Sequence, residues 1–315
     1  MIFRISFVML CTIWGNIVAQ EVSTPAYYET DQQLSEQLMA IVKDLGLDKD
    51  FNVGEDGMEQ ICLAVIDLNR KQPNLGGVNY DNFIYPASVY KIYVGAEILN
   101  QIFNKNLNLD DLYVVQFPND VDKTKEISND PRSLLKIADS VTVNYLLDLM
   151  ITRSDNTASN CLIDLAQRPH INKLMHQNNW QGSEVTRKFL NRKFEDPGYA
   201  EIEGTMTCAL HAADFMYKVQ TNQLVNPWVS LQMKALLGRQ LDKSKLAAGL
   251  PKEAMFYHKT GWYYFWTNDV GIVDDGETQY IISCFLPIKE ALVLPQMKEL
   301  SRRVHHLMKE RSKQI

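Results

Sequence analysis

The chain carries two kinds of apolar periodicity, and the change from one to the other divides it. From Asp31 to Leu45, the residues Leu34, Leu38, Ile41, Val42 and Leu45 share one side of a 3.6-residue repeat. This predicts an amphipathic helix stopped at Gly46. Gln60 to Leu68 is instead a largely apolar run of strand length, the pattern of a central strand covered on both faces. Asn74 to Gly77 is turn-rich, and a short second strand is expected after it. Ser88 to Phe103 returns to helical spacing, with Pro86 just ahead as a start signal. Ile92, Ala96, Leu99 and Phe103 form a stripe that Val89, Tyr93 and Ile102 widen, so this helix belongs in a core.

Residues 108–140 are polar and irregular. Val143 to Ile151, Ala158 to Leu165, Cys208 to Val219 and Val229 to Leu237 read as four more helices. Then the period falls to two. Ala254 to Phe265, Asp269 to Val273 and Gln279 to Leu286 are predicted strands, the last two joined at Asp274-Asp275-Gly276-Glu277, a hairpin signal. Pro295 to Lys309 closes the chain as an amphipathic helix. Strands at both ends with helices between predict an α+β fold: an antiparallel five-stranded sheet formed by both chain ends and flanked by helices, with an inserted all-α lobe. The expected division is an α/β lobe over 20–87 and 240–315 and an all-α lobe over 88–239. A ligand cleft is expected between them.

The composition is that of an ordinary globular protein: 315 residues, 46% hydrophobic and 22% charged. With a net charge of −6 and no Lys/Arg block, a nucleic-acid partner is not expected. Residues 1–19 read as a secretory signal peptide. Arg4 supplies the positive end, Ile5 to Ile13 the short apolar stretch, and Ile17-Val18-Ala19 a small-residue cleavage site. The expected location is secreted or periplasmic, with no stable membrane insertion after cleavage. An uncleaved anchor is the competing reading. Export permits disulfides, but Cys62, Cys161, Cys208 and Cys284 sit in apolar stretches and are expected as buried free thiols. No Cys or His cluster has zinc spacing, so no metal or cofactor is expected. His305-His306, on a basic helix, is read as solvated.

Three short motifs carry the candidate chemistry. In Ser88-Val89-Tyr90-Lys91, the three-residue spacing puts a hydroxyl and an amine on one helical face. A serine needs a base to become a nucleophile, and a desolvated lysine with a lowered pKa can be that base. The Ser88 N–H, at a helix start, is a candidate oxyanion donor. Ser154-Asp155-Asn156 falls between two helices. Ser154 is a candidate proton relay to a leaving nitrogen, Asn156 a candidate ligand for a substrate amide, and Asp155 a structural residue. Lys259-Thr260-Gly261 lies on a predicted strand, where period two puts Lys259 and Gly261 on one face. Lys259 would lower the pKa of Ser154 and attract a carboxylate. Thr260 adds a hydroxyl, Gly261 allows close approach, and the Trp262 N–H is a second candidate oxyanion donor. Each motif alone has a bland reading: a surface helix, an N-cap turn, an exposed strand end.

Together, S-x-x-K, S-D-N and K-T-G in this order resemble the class A β-lactamase and penicillin-binding protein superfamily. Tyr85-Pro86-Ala87, the run Ser154 to Asn160 and Thr267-Asn268-Asp269-Val270 extend the resemblance, which spans about Ile61 to the C-terminus. It implies a small-molecule β-lactam or peptidoglycan-like acyl substrate and a serine acyl-enzyme on Ser88. The class A glutamate that activates the deacylating water, in an E-x-x-L-N pattern, is absent. Val185-Thr186-Arg187 resembles the start of its loop and Gly204-Thr205-Met206-Thr207 the end. A gapless count reaches Arg192; with a short insertion Phe194-Glu195 matches, making Glu195 the candidate, with Glu201 and Glu203 weaker. No arginine follows on the last two strands to hold a substrate carboxylate. Tyr263, Tyr264, Phe265 and Trp266 continue an aromatic run after Trp262. Three readings stay open: a β-lactamase-like serine hydrolase, a slow-deacylating D-Ala-D-Ala peptidase or transpeptidase, and an inactive binding protein on the same fold.

Overall fold

A computed structural model describes residues 22–314; the predicted signal peptide lies outside them. The sheet is built from β1 (Glu29–Thr30), β2 (Cys62–Asp67), β3 (Asn74–Val78), β4 (Met255–Tyr263), β5 (Trp266–Asp274) and β6 (Gln279–Leu286). Their order across the sheet is β1-β3-β2-β6-β5-β4. The expected count of five strands is thus one short. Glu29–Thr30 joins the edge and runs parallel to β3, through backbone pairing that two residues cannot announce in a hydrophobic pattern. All other pairings are antiparallel.

Period two sorts the sheet residues into two cores. Cys62, Ala64, Ile66, Val270, Ile272, Ile281 and Phe285 face the helical block. Leu63, Val65, Tyr280, Ile282, Cys284 and Leu286 face the other way, onto α1 (Gln32–Asp44) and α8 (Glu290–Ser312). This explains the unbroken apolar run of β2: it is central and covered on both sides. Asp31 caps α1 by accepting the Leu34 N–H at 2.8 Å. The last helix starts five residues earlier than expected, with Pro295 inside it. His305 is not solvated. It is buried on α8 and meets Tyr280 and Asp275, while His306 is exposed.

The helical block is α2 (Lys91–Phe103), α3 (Val143–Asp148), α4 (Asn156–Ala166), α5 (Arg168–Gln177), α6 (Ala209–Gln220) and α7 (Pro227–Leu237). Every residue of α2 from Lys91 to Leu99 is buried, as its apolar circumference requires. Helix α5 is not announced by the sequence pattern: it is short and polar, and only Arg168, Ile171, Leu174 and Met175 turn inward. Cys62, Cys161, Cys208 and Cys284 are free and buried, as expected.

Candidate active site

All three motifs converge where the sheet edge meets the helical block. Ser88 lies in a tight 3₁₀ turn, Ala87–Tyr90, that leads into α2. Ala87 has φ +46°, a left-handed conformation that costs a non-glycine residue of order 1–3 kcal/mol. The turn is braced from β5, where the Asn268 side chain donates to the Tyr85 carbonyl at 3.2 Å. It is also pressed by β4. A Cβ added to Gly261 would lie 2.8 Å from the Pro86 oxygen and 2.9 Å from the Ser88 and Val89 nitrogens. Gly261 is therefore the contact that lets the strand edge reach the Ser88 N–H.

The register gives the direction of the Trp262 N–H. Tyr263 and Trp266 close a two-residue turn at the tip of the β4–β5 hairpin, and the closing pair exchanges hydrogen bonds. Antiparallel pairs alternate, so Trp262, opposite Thr267, does not bond its neighbour. Because β4 is an edge strand, the Trp262 N–H points outward, away from β5. Trp262 as a residue is 43% exposed.

Lys91 is fully buried, one helical turn beyond Ser88. Its Nζ donates to the Ser154 carbonyl, to Ser154 Oγ at 3.2 Å and to Asn156 Oδ1 at 2.7 Å. Burial pushes its pKa down to about 8, opposed by Asp122, Glu126 and Asp155. Ser154 follows a π-helical turn, Leu149–Arg153, and has φ +63° and ψ +28°. This second left-handed residue turns its hydroxyl between two lysines, since Lys259 Nζ also donates to Ser154 Oγ, at 2.9 Å. Lys259 is buried, bonds the Thr260 carbonyl at 2.7 Å, and is driven well below its ordinary pKa by burial and by the Lys91 charge. Thr260 is buried beside it. Asp155 caps α4 through the Ala158 N–H at 2.8 Å and pairs with Arg153 at 2.6 Å, the structural role expected of it.

Glu195 is not brought to this cluster. Its carboxylate is tied to Arg168 and accepts the Lys188 N–H at 3.0 Å. Phe189 stands there instead, its ring centroid 4.2 Å from Lys91 Nζ and stacked on Tyr90. Asn160 clamps the Phe189 backbone, accepting its N–H at 2.8 Å and donating to its carbonyl at 3.4 Å. Sequence counting failed here because the loop's tether is a contact from α4, invisible to spacing. Residues that sequence reading overlooked are Phe189 and Asp122, the last bonded to Asn156; Asn268 was marked only as part of a run, without its contact to Tyr85. Glu126 is exposed, near enough to Lys91 and Lys259 for both to favour its carboxylate.

An α-helical block set against a sheet of both chain ends, with a serine–lysine pair where the central helix begins, is the architecture of the serine β-lactamases and penicillin-binding proteins. The profile of the β-lactamase enzyme family matches residues 47–305, and the chain belongs to that family. No curated protein matches it in sequence. Among solved structures it is similar to PBP-A, with TM-score 0.73, 18% identity, and coverage of 90% of this chain and 98% of that one. It is also similar to a β-lactamase from Sphaerobacter thermophilus, with TM-score 0.72, 18% identity, and coverage of 89% and 98%. A reconstructed class A β-lactamase of the last common ancestor of Gram-negative bacteria gives TM-score 0.69, 21% identity, and coverage of 87% and 98%. These likenesses are of fold. A point mutant of PBP-A is known as an acyl-enzyme complex with penicillin G.

Proposed function

We propose that Ser88 is the nucleophile of an acyl-transfer reaction on a β-lactam or a peptidoglycan-like acyl compound, and that the acyl-enzyme it forms is long-lived. The observation that carries the first part is Ser154 Oγ, held between Lys259 at 2.9 Å and Lys91 at 3.2 Å, the lysine one helical turn beyond Ser88. In this reading the neutral Lys91 amine takes the Ser88 proton as Oγ bonds the substrate carbonyl carbon. The oxyanion is held by the Ser88 and Trp262 N–H groups. The amide C–N bond then breaks, and Ser154 passes its proton to the leaving nitrogen and regains one from Lys91, which returns the lysine to its neutral form. Lys259 stabilises negative charge and receives a substrate carboxylate. Capture of a PBP-A mutant as a penicillin G acyl-enzyme supports the same chemistry here. Export through residues 1–19 would place the enzyme outside the cytoplasm, where such substrates are found.

Phe189 favours the slow-release, penicillin-binding reading over rapid hydrolysis. An apolar ring beside Lys91 supplies no base for water, and the Glu195 carboxylate is committed to Arg168. The test is intact-protein mass after mixing with penicillin G. A lasting adduct is expected on the wild type and none on Ser88→Ala. Phe189→Glu, which puts a carboxylate beside Lys91, should shorten the adduct's lifetime about tenfold or more. Labelling of the alanine variant would refute the nucleophile. Penicillin consumed without a lasting adduct would restore the hydrolase reading, with Glu126 the first carboxylate to substitute. Neither adduct nor consumption would leave a binding protein.

A further inference from the structure

The Asn156 side chain stands between a cation and an anion. Its Oδ1 accepts from Lys91 Nζ at 2.7 Å. Its Nδ2 donates to Asp122 Oδ1 at 3.0 Å, and its backbone N–H donates to Asp122 Oδ2 at 2.7 Å. A carboxamide has an acceptor oxygen and two donor hydrogens. This arrangement uses the oxygen and one hydrogen, and leaves one hydrogen for a substrate carbonyl. Rotating the amide by half a turn would set NH₂ against the ammonium and C=O against the carboxylate, so the two charges together allow one orientation. Asp122 is itself held in place. The Val121 and Asp122 N–H groups both donate to Thr157 Oγ1, at 3.1 and 3.3 Å, which fastens this stretch of the 108–140 loop to the first turn of α4. The N-terminal end of that helix favours a carboxylate.

We propose that Asp122 is a positioning residue for the acylation of Ser88, locking the Asn156 amide with its oxygen on Lys91 and balancing the charge of that lysine across the amide. The inference rests on the reading of Lys91 as the base. Burial drives the Lys91 amine toward neutrality, and Asp122 is foremost among the groups that oppose it, followed by Glu126 and Asp155. Lys259 faces the same Ser154 hydroxyl from β4 and acts in the opposite sense, and the Phe189 ring closes the loop side. The net effect keeps the base near working pH, where general-base catalysis is most effective.

The test uses the mature chain with Asp122→Asn and Asp122→Ala. Asp122→Asn keeps the size and an oxygen for the Asn156 N–H but removes the charge. Two readouts are taken: the Lys91 titration midpoint by NMR of labelled lysine, and the pH dependence of acylation by penicillin G. Losing a nearby anion disfavours the ammonium, so the midpoint should fall in Asp122→Asn by about one pH unit or more. The acid limb of the acylation profile should move down with it. Asp122→Ala should move both and also raise the penicillin concentration for half-maximal rate, because its amide is free to turn. A midpoint and limb unchanged in Asp122→Asn would overturn the proposal, since a merely structural residue moves neither. A midpoint that falls in a protein that penicillin never acylates would refute the nucleophile reading and leave the Asp122–Asn156–Lys91 coupling standing.

Discussion

Two carboxylates in this molecule show how differently the same group can be used. Asp122 faces the Asn156 amide that bonds Lys91. Glu195, though in the expected loop, is buried against Arg168, with Asp196 on the other guanidinium nitrogen at 2.8 Å. Glu195 is thus a tie holding the loop to α5. Glu195→Gln should lower stability by about 2 kcal/mol, because the Arg168 charge stays buried with one partner fewer. It should leave the lifetime of a penicillin adduct unchanged. Chemical denaturation and time-resolved intact mass check the two halves separately, and a trapped adduct in this variant alone would return Glu195 to the site.

At the scale of elements, the site is a close approach between an edge strand and a strained turn. The turn carries Ser88, and Ala87 bears the strain. The strand carries Lys259 and Gly261 on its inner side and turns the N–H of Trp262 outward at its free edge. The approach depends on the absence of a side chain at Gly261, because the atoms that a Cβ would meet are backbone and cannot rotate away. Gly261→Ala should therefore push β4 from the Ser88 turn, widen the gap between the two proposed oxyanion donors, and slow acylation by on the order of 10²-fold. Thermal stability should fall less than for a core truncation, since the site lies at a sheet edge. Stopped-flow acylation together with a thermal melt measures this, and an alanine variant acylating at the wild-type rate would contradict the account.

Across the whole molecule, two cores on opposite faces of one sheet enclose four thiols. Burial raises the pKa of Cys161 and Cys208 to about 12, and those of Cys62 and Cys284 further still. A thiol reacts as its thiolate and only where a reagent reaches it. None of the four should react with a disulfide reagent at pH 8 while the protein is folded, and all four should react in denaturant. Fast labelling of any of them in the native state would show a local opening of the core that holds it.

The hydrophobic periods determined most of the strands and helices, though not α5 or the place of β3, and with them the buried central helix and the covered strand β2, because these follow from which face of a repeat must leave water. The three motifs likewise marked Ser88, Lys91, Ser154, Asn156 and Lys259, since their chemistry is local to a few residues. Tertiary structure alone decided the sixth strand, the left-handed turns at Ala87 and Ser154, the Asn268 brace, the Asp122 contact to Asn156 and the placing of Phe189 against Lys91. Each of these depends on groups distant in sequence meeting through backbone bonds or a single amide. The loop shows the difference most directly. Counting along the chain led to Glu195, but Asn160 clamps the backbone of Phe189, so position in this site is set by a contact across the fold and not by spacing from Val185.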